Sequence, residues 1–277
     1  MPYLTSGNAR IYFEVHGTGT PLLLTHGYSS TSEMWRGQIA TLSKSFKLIL
    51  WDMRGHGLTE APADDQSAYS EQATVSDMLA LLDHTTTTTT ATAAASSSAG
   101  AVVGGLSLGG YMSLAFYRAH PARVRALLII DTGPGFKKDA ARDAWNKTAF
   151  ATGEKFKKDG LDVLRSMSAE RASVSHRSAH GLVMAARGML TQRDSSVIES
   201  LGDIRVPALV VVGADDTPFL AASEYMAKKI PGARKVVVPN AGHAVNIDQP
   251  ERFLDAVMPF LEEVEKRQSE KRAKALL

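Results

Sequence analysis

A chain of 277 residues, 44% hydrophobic and 22% charged, has the balance of an ordinary soluble globular protein, with length for one large α/β domain or two small ones. The formal net charge is only +2, with Lys and Arg dispersed among nearly as many acids, so no basic stripe invites a phosphate backbone and nucleic acid is a poor partner. The absence of cysteine removes disulfides, thiolate metal sites and cysteine nucleophiles in one step, and suits a reducing compartment.

From the N-terminus, MPYLTSGNARIYFEVHG lacks the basic stretch and apolar core of a signal peptide, and KRAKALL at the other end is not a peroxisomal address. No run approaches the roughly 18 apolar residues that span a bilayer, so no membrane is expected and the cytoplasm is the expected location. Short apolar runs follow one another at Ile11 to Val15, Leu22 to Thr25, Phe46 to Trp51, Ala101 to Gly104, Ala126 to Asp131, Ala208 to Gly213 and Lys235 to Pro239. Continuous rather than alternating runs suggest strands buried on both faces of a parallel sheet. Helical spacing between them, at Ser70 to Asp83 and Gln249 to Lys266, predicts right-handed βαβ units in a doubly wound, mostly parallel α/β sheet.

Two stretches break the alternation. TTTTTTATAAASSS, residues 85–98, is low-complexity sequence with nothing to bury, predicted as an exposed connection at the sheet edge opposite the ligand-binding face. Between Thr132 and Gly202 only helical segments occur, around Lys138 to Lys158, Leu161 to Arg171 and Ser178 to Leu190, with Gly153, Gly160, Gly181 and Gly188 expected to separate or kink them. The expected organisation is a core formed by residues 1–131 and 203–277, with a small helical cap at 132–202.

Gly105-Leu106-Ser107-Leu108-Gly109 matches G-x-S-x-G directly after a strand and before a helical pattern at Tyr111 to Arg118. A sharp strand-to-helix turn projects the serine Oγ from the sheet edge, side chains two residues either side would collide, and the helix N-terminus favours developing negative charge. A serine needs a base, and His243 in Asn240-Ala241-Gly242-His243 follows the last strand at the same edge. Of the other histidines, His26 and His56 stand in glycine-flanked loops that they are expected to brace, and His176 and His180 lie in the cap. The base needs a carboxylate in turn, and Gly213-Ala214-Asp215-Asp216 offers two; Asp216 is favoured over Asp215, with Asp131 at the end of the preceding strand as a further candidate. Backbone N–H groups of Tyr28, in His26-Gly27-Tyr28, and of Leu108 are the expected oxyanion donors.

HGYSSTSEMW, WDMRGHGLTE, GGLSLGGYMSLAFYRAHP, VPALVVVGADDTP and VPNAGHAVNIDQPERF resemble, in order and over nearly the whole chain, the signature blocks of the α/β-hydrolase superfamily. Within it the short cap and GLSLGG resemble the branch of 3-oxoadipate enol-lactonases, small carboxylesterases and serine-type perhydrolases. The family's G-x-x-D pattern places the acid on Asp216, and the resemblance implies neither metal nor organic cofactor. A serine at 107 argues against the aspartate-nucleophile dehalogenases and epoxide hydrolases of this fold. The threonine-rich insertion departs from the pattern at a place remote from the expected site.

The expected chemistry is acyl transfer to water from a small-molecule ester or lactone, through an acyl-enzyme on Ser107. Tyr28, Trp35, Leu108, Phe136, Trp145, Met167, Met184 and Met189 are candidates for an apolar pocket, although for the methionines ordinary helix core is the favoured reading. A second reading keeps the triad but cleaves a carbon–carbon bond of a carboxylate-bearing diketone, which requires one of Arg165, Arg171, Arg177, Arg187 or Arg193 to face the pocket. A third, from a different class, is a ligand receptor on the same fold with slow turnover.

Overall fold

The protein was analysed as a computed structural model describing residues 3–86 and 100–275. The strands are β1 (Tyr3–Ser6), β2 (Ala9–His16), β3 (Thr20–Thr25), β4 (Phe46–Trp51), β5 (Ala101–Leu106), β6 (Val124–Ile130), β7 (Ala208–Gly213) and β8 (Arg234–Val238). They form one sheet in the order β1-β2-β4-β3-β5-β6-β7-β8, parallel from β4 to β8 and antiparallel where β1 meets β2 and β2 meets β4. The helices are α1 (Arg36–Leu42), α2 (Glu71–Thr86), α3 (Leu108–Ala119), α4 (Asp139–Asp159), α5 (Ala169–Ser173), α6 (Ala179–Ala185), α7 (Ser196–Glu199), α8 (Thr217–Lys229), α9 (Val245–Asp248) and α10 (Pro250–Ala275). No helix among the described residues is long and apolar enough to cross a membrane.

The central strands have two apolar faces because each face meets a different helical layer. Leu23, Val103, Leu127 and Ile129 pack with α2 and α3, while Leu22, Leu24, Val102, Ala126, Leu128 and Ile130 pack with α1 and α10. The outer strands differ from the sequence expectation. β2, antiparallel and near one edge, buries Ala9, Ile11 and Phe13 on one face only, and the edge strand β8 leaves Val237 exposed. An edge strand has a neighbour on one side alone, so a β-branched run there does not imply double burial. Two further elements carry too short or too polar a pattern for periodicity to find, β1 and α1, and α2 runs on through Thr86. Apart from Thr85 and Thr86, the connection expected over residues 85–98 lies outside the described residues.

Between β6 and β7 the chain holds only helical turns: α4, a 3₁₀ turn at Gly160–Ser166, α5, α6, a π-turn at Ala186–Leu190, α7 and a 3₁₀ turn at Ser200–Asp203. This insertion sits on the loops that follow β3 and β4. Tyr28 Oη donates to the Leu182 carbonyl at 2.8 Å, and Gln66 Nε2 to the Met184 carbonyl at 3.0 Å. Gly181 does not kink its helix as expected; it allows backbones to touch, since a Cβ on Gly55 would lie 2.3 Å from the Gly181 carbonyl oxygen.

The loop after β4 is anchored by a buried ion pair. Arg54 donates Nε and Nη2 to the two Asp77 oxygens on α2 at 2.7 and 2.8 Å, and its remaining N–H groups reach Asn8, Ala68 and Ser6. Replacing Asp77 with Leu strands a buried guanidinium and should cost about 3–5 kcal/mol in urea unfolding, whereas Arg54→Met combined with Asp77→Leu should cost clearly less. Equal costs would show that the charge is solvated in the single variant.

Candidate active site

β5 ends at Leu106 and α3 begins at Leu108, so Ser107 alone makes the turn, with φ 55° and ψ −119°. That strained conformation is held from three sides: Ser107 N–H donates to the Ile130 carbonyl at 2.9 Å, and its own carbonyl accepts from Tyr111 N–H at 3.1 Å and Thr132 Oγ1 at 2.7 Å. A Cβ on Gly109 would lie 2.2 Å from the Thr25 carbonyl oxygen, and one on Gly105 would lie 2.6 Å from the same atom. Only glycine lets the start of α3 press against the end of β3. Leu108 is the first residue of α3, so its N–H has no partner within the helix. The Tyr28 N–H, in the loop after β3, has no partner among the described residues. Leu108 adjoins Ser107 in the chain, and Tyr28 adjoins Gly27, on which a Cβ would touch Ser107 Cβ at 3.4 Å.

His243 follows β8 and donates Nδ1–H to Asp216 Oδ2 at 2.9 Å. Its ring stacks on Phe219 of α8, centroids 5.0 Å apart, which fixes the imidazole plane. Asp216 is buried, whereas Asp215 is exposed and only its backbone N–H is engaged, by the Ala241 carbonyl. The structure thus separates the two adjacent acids, and the one beside the histidine is Asp216. Ser107 and His243 border the same glycine: a Cβ on Gly27 would touch Ser107 Cβ at 3.4 Å, and Gly27 and His243 together line a cavity of about 130 Å³. Among the described residues no hydrogen bond joins Ser107 to His243; such bonds are often long until substrate closes the site.

A cavity of about 330 Å³ opens on Ser107 and Leu108, roofed by Phe136, Trp145 and Met189 and walled by Tyr111 and Phe219. Phe136 and Trp145 are where the sequence placed them. Trp35 is not: it is fully buried against Phe253 in the core below the sheet edge. Met184 and Tyr28 are also outside the lining. Met184 packs in the core beneath the insertion, and the Tyr28 ring lies edge-on to His56 and Phe156. The π-turn after α6 shifts the helical register, so Met189 rather than Met184 comes to the cavity.

Three side chains escaped the sequence reading of the site or were left undecided by it. Gln192 lines the cavity, is 9% exposed, and its Oε1 has no hydrogen-bond partner. Arg171 lines the smaller cavity beside His243. Its Nε is buried without a partner, and among the described residues its guanidinium makes no ion pair, while Arg165, Arg177 and Arg187 pair with Asp162, Glu60 and Glu154. Asp131, fully buried, accepts the Gly213 N–H at 2.8 Å and the Val245 N–H at 3.3 Å. Burial, and then the neighbouring Asp216, push its carboxyl up to about 8.

His26 and His56 brace loops, as their glycine-flanked positions predict, and the insertion adds His176 to form a buried cluster. The ring centroids are 4.9 Å apart for His26–His56 and 5.8 Å for His56–His176. His26 donates Nδ1–H to the Gly27 carbonyl and accepts the Met53 N–H on Nε2 at 3.0 Å. His176 accepts the Gly57 N–H on Nδ1 at 3.0 Å and donates Nε2–H to the Ser29 carbonyl at 3.2 Å. Among the described residues no group of three or more His, Cys, Asp or Glu side chains is arranged to hold a metal ion.

Residues 22–256 match the alpha/beta hydrolase family. The chain is 26% identical over 268 residues to a pimeloyl-[acyl-carrier protein] methyl ester esterase of Nitrosomonas europaea, covering 89% of this chain and 97% of that one. It is 27% identical over 274 residues to the (E)-2-((N-methylformamido)methylene)succinate hydrolase of Acinetobacter baylyi, covering 94% and 96%. Among solved structures it resembles a thermophilic esterase from Thermogutta terrifontis with malate bound, at TM-score 0.77 and 27% identity, over 94% of this chain and 96% of the other.

Burial holds His26, His56 and His176 below the ordinary histidine range, His176 at about 4, so all three fold neutral. The unfolded chain protonates them below roughly pH 6.5, and stability is therefore full above that pH and falls toward pH 4. Asp131, raised in the fold, opposes this as one group against three. The urea midpoint should drop between pH 7.5 and 5.0, and His176→Gln should flatten the drop; a midpoint that holds or rises at pH 5.0 would show the cluster already charged.

Proposed function

The chain belongs to the alpha/beta hydrolase family, and from that premise we propose that it hydrolyses a carboxylic ester or lactone through an acyl-enzyme on Ser107, with His243 as base and Asp216 as its acid. The observation that carries this reading is the 2.9 Å bond from His243 Nδ1 to Asp216, at the sheet edge where Ser107 is held in its strained turn. With Nδ1–H committed to Asp216, the proton-accepting nitrogen is Nε2. His243 takes the Ser107 proton as Oγ attacks the acyl carbon, and the Tyr28 and Leu108 N–H groups receive the oxyanion. The protonated imidazole then returns its proton to the leaving oxygen. Water repeats the sequence on the acyl-enzyme, releasing the acid and restoring the serine.

The roof supports a small or medium acyl group: about 330 Å³ lies at the low end of small-molecule sites, and Phe136, Trp145 and Met189 give it an apolar ceiling. The helical segment 132–202 then acts as the cap that shapes the pocket. Arg171 favours a second reading. An unpaired guanidinium beside His243 suits a substrate carboxylate, as the carbon–carbon hydrolase reading requires.

Ser107→Ala should fold normally yet lose several orders of magnitude in kcat on p-nitrophenyl acetate, and a fluorophosphonate probe should label the parent at Ser107 alone. Asp216→Asn should cost about 10⁴ in kcat and Asp215→Asn far less. Reversal of the two acids, or labelling elsewhere, defeats the triad assignment. Trp145→Ala should shift relative kcat/KM among acyl chain lengths by roughly 10- to 100-fold while sparing acetate, since each pocket methylene is worth about 1–3 kcal/mol; a uniform loss would place Trp145 in a purely structural role. Arg171→Met should depress turnover of carboxylate-bearing substrates selectively if the second reading holds, and leave the ester panel unranked by charge if it does not.

A further inference from the structure

We propose that Asp131 is a positioning residue of the triad: a neutral carboxylic acid that donates a hydrogen bond to Asp216 while its two oxygens hold the loops carrying Asp216 and His243. The proposal rests on the triad reading above. It starts from the segment Ile130 to Thr132, where three consecutive residues touch all three triad loops. The Ile130 carbonyl accepts the Ser107 N–H, and Thr132 Oγ1 donates to the Ser107 carbonyl. Between them Asp131 accepts the Gly213 N–H on Oδ1 and the Val245 N–H on Oδ2, three residues before Asp216 and two after His243. Its own N–H continues the ladder to the Val211 carbonyl at 2.9 Å. The residue is held at φ 42°, a left-handed conformation that a non-glycine side chain adopts only where its surroundings impose it.

The protonation state follows from the neighbours. Asp131 is fully buried, and its carboxyl lies within hydrogen-bonding reach of Asp216. Two buried carboxylates in contact cannot both carry charge cheaply, so one proton is shared between them. Asp216 already receives Nδ1–H from His243, which favours the negative charge there and the proton on Asp131. Asp216 after β7 is the titratable group that acts on Asp131, with His243 bonded behind it after β8; Asp248 on α9 is engaged elsewhere, accepting the Gly242 N–H at 2.8 Å. Ionising Asp131 would remove its donor, place a second negative charge beside Asp216 and push apart the two loops that it joins.

The test compares the parent, Asp131→Asn and Asp131→Leu by kcat and KM on p-nitrophenyl acetate between pH 6 and 9.5, with fluorophosphonate labelling rate and Tm alongside. Asn keeps a donor toward Asp216 and an acceptor for Gly213 but cannot ionise; Leu keeps neither. The parent should lose kcat along an alkaline limb centred near pH 8, as the buried carboxyl ionises. Asp131→Asn should stay within about tenfold of the parent at pH 7 and lack that limb, while Asp131→Leu should lose about 100-fold in kcat and labelling rate with KM within about threefold. An Asn variant as inactive as Asp216→Asn would make Asp131 the ionised acid and overturn the proposal. So would an Asn variant that keeps the limb, or a folded Leu variant with full kcat. If Tm shows the Leu variant unfolded, the Asn pH profile decides alone. A parent that the probe does not label at Ser107 defeats the triad reading itself, which no result on Asp131 alone can do.

Discussion

Everything at the site depends on how closely α3 approaches the end of β3. The Thr25 carbonyl occupies the space where a side chain at 105 or 109 would stand, so two glycines set the distance between the serine turn and the loop after β3. That one contact sets Ser107, the Leu108 N–H and the Tyr28 loop side by side. The parallel sheet does the rest, because βαβ connections bring the ends of β3, β5, β6, β7 and β8 to a common edge. Ser107, Asp216 and His243, separated by up to 136 positions (243 less 107), all follow strands that end at this edge.

Strain is concentrated at the same edge. Among the described residues the non-glycine positions with positive φ are Ser29, Ser107, Asp131 and Asn240, which follow β3, β5, β6 and β8. Each takes part in a hydrogen bond to a neighbouring strand or loop: Ser29 with His176, Ser107 with Ile130, Asp131 with Gly213 and Asn240 with Gln249. Backbone strain of this kind costs on the order of 1–3 kcal/mol per residue and persists only where the surroundings over-determine it. Here the parallel ladder supplies that rigidity, and the loops carry the distortion.

How much of this was legible in the sequence depended on range. Ser107, Asp216 and His243 stand out as candidates because each stands a fixed, short distance after an apolar run, and the adjacent glycines mark where backbone must approach backbone. The core strands β4 and β7 were bounded correctly for the same reason: their burial on both faces leaves a continuous apolar signature. β1 and α1 were missed because four and seven residues give too few periods to read. Trp35 and Met184 were placed in the pocket on size and polarity alone, properties that core and pocket share. Only the tertiary path, a π-turn in one case and packing on Phe253 in the other, separates them. Asp131 was seen as a rival for the acid, but its hydrogen bonds run to residues 82 and 114 positions away, and no local pattern announces those.

The helical insertion meets the core at many points, among them Tyr28 with the Leu182 carbonyl, Ser30 with Glu170, Gln66 with the Met184 carbonyl, His180 with the Ala63 carbonyl, Gly55 against Gly181, and the His176 bonds to Ser29 and Gly57. Tyr28, Ser29 and Ser30 belong to the loop expected to present the oxyanion donor. The roof of the cavity and that loop therefore form one mechanical unit. A side-chain change that tilts α6 pulls on the Leu182 carbonyl, and through Tyr28 on the loop after β3. Phe136, Trp145 and Met189, which line the cavity, make no hydrogen bond to the loop after β3 among the described residues; Trp145 instead donates Nε1–H to the Leu190 carbonyl within the insertion. Phe219 and Thr132 belong both to the pocket and to the sheet edge: each lines the cavity, while Phe219 stacks on His243 and Thr132 Oγ1 donates to the Ser107 carbonyl, so pocket shape and the geometry of the sheet edge are set in part by the same side chains.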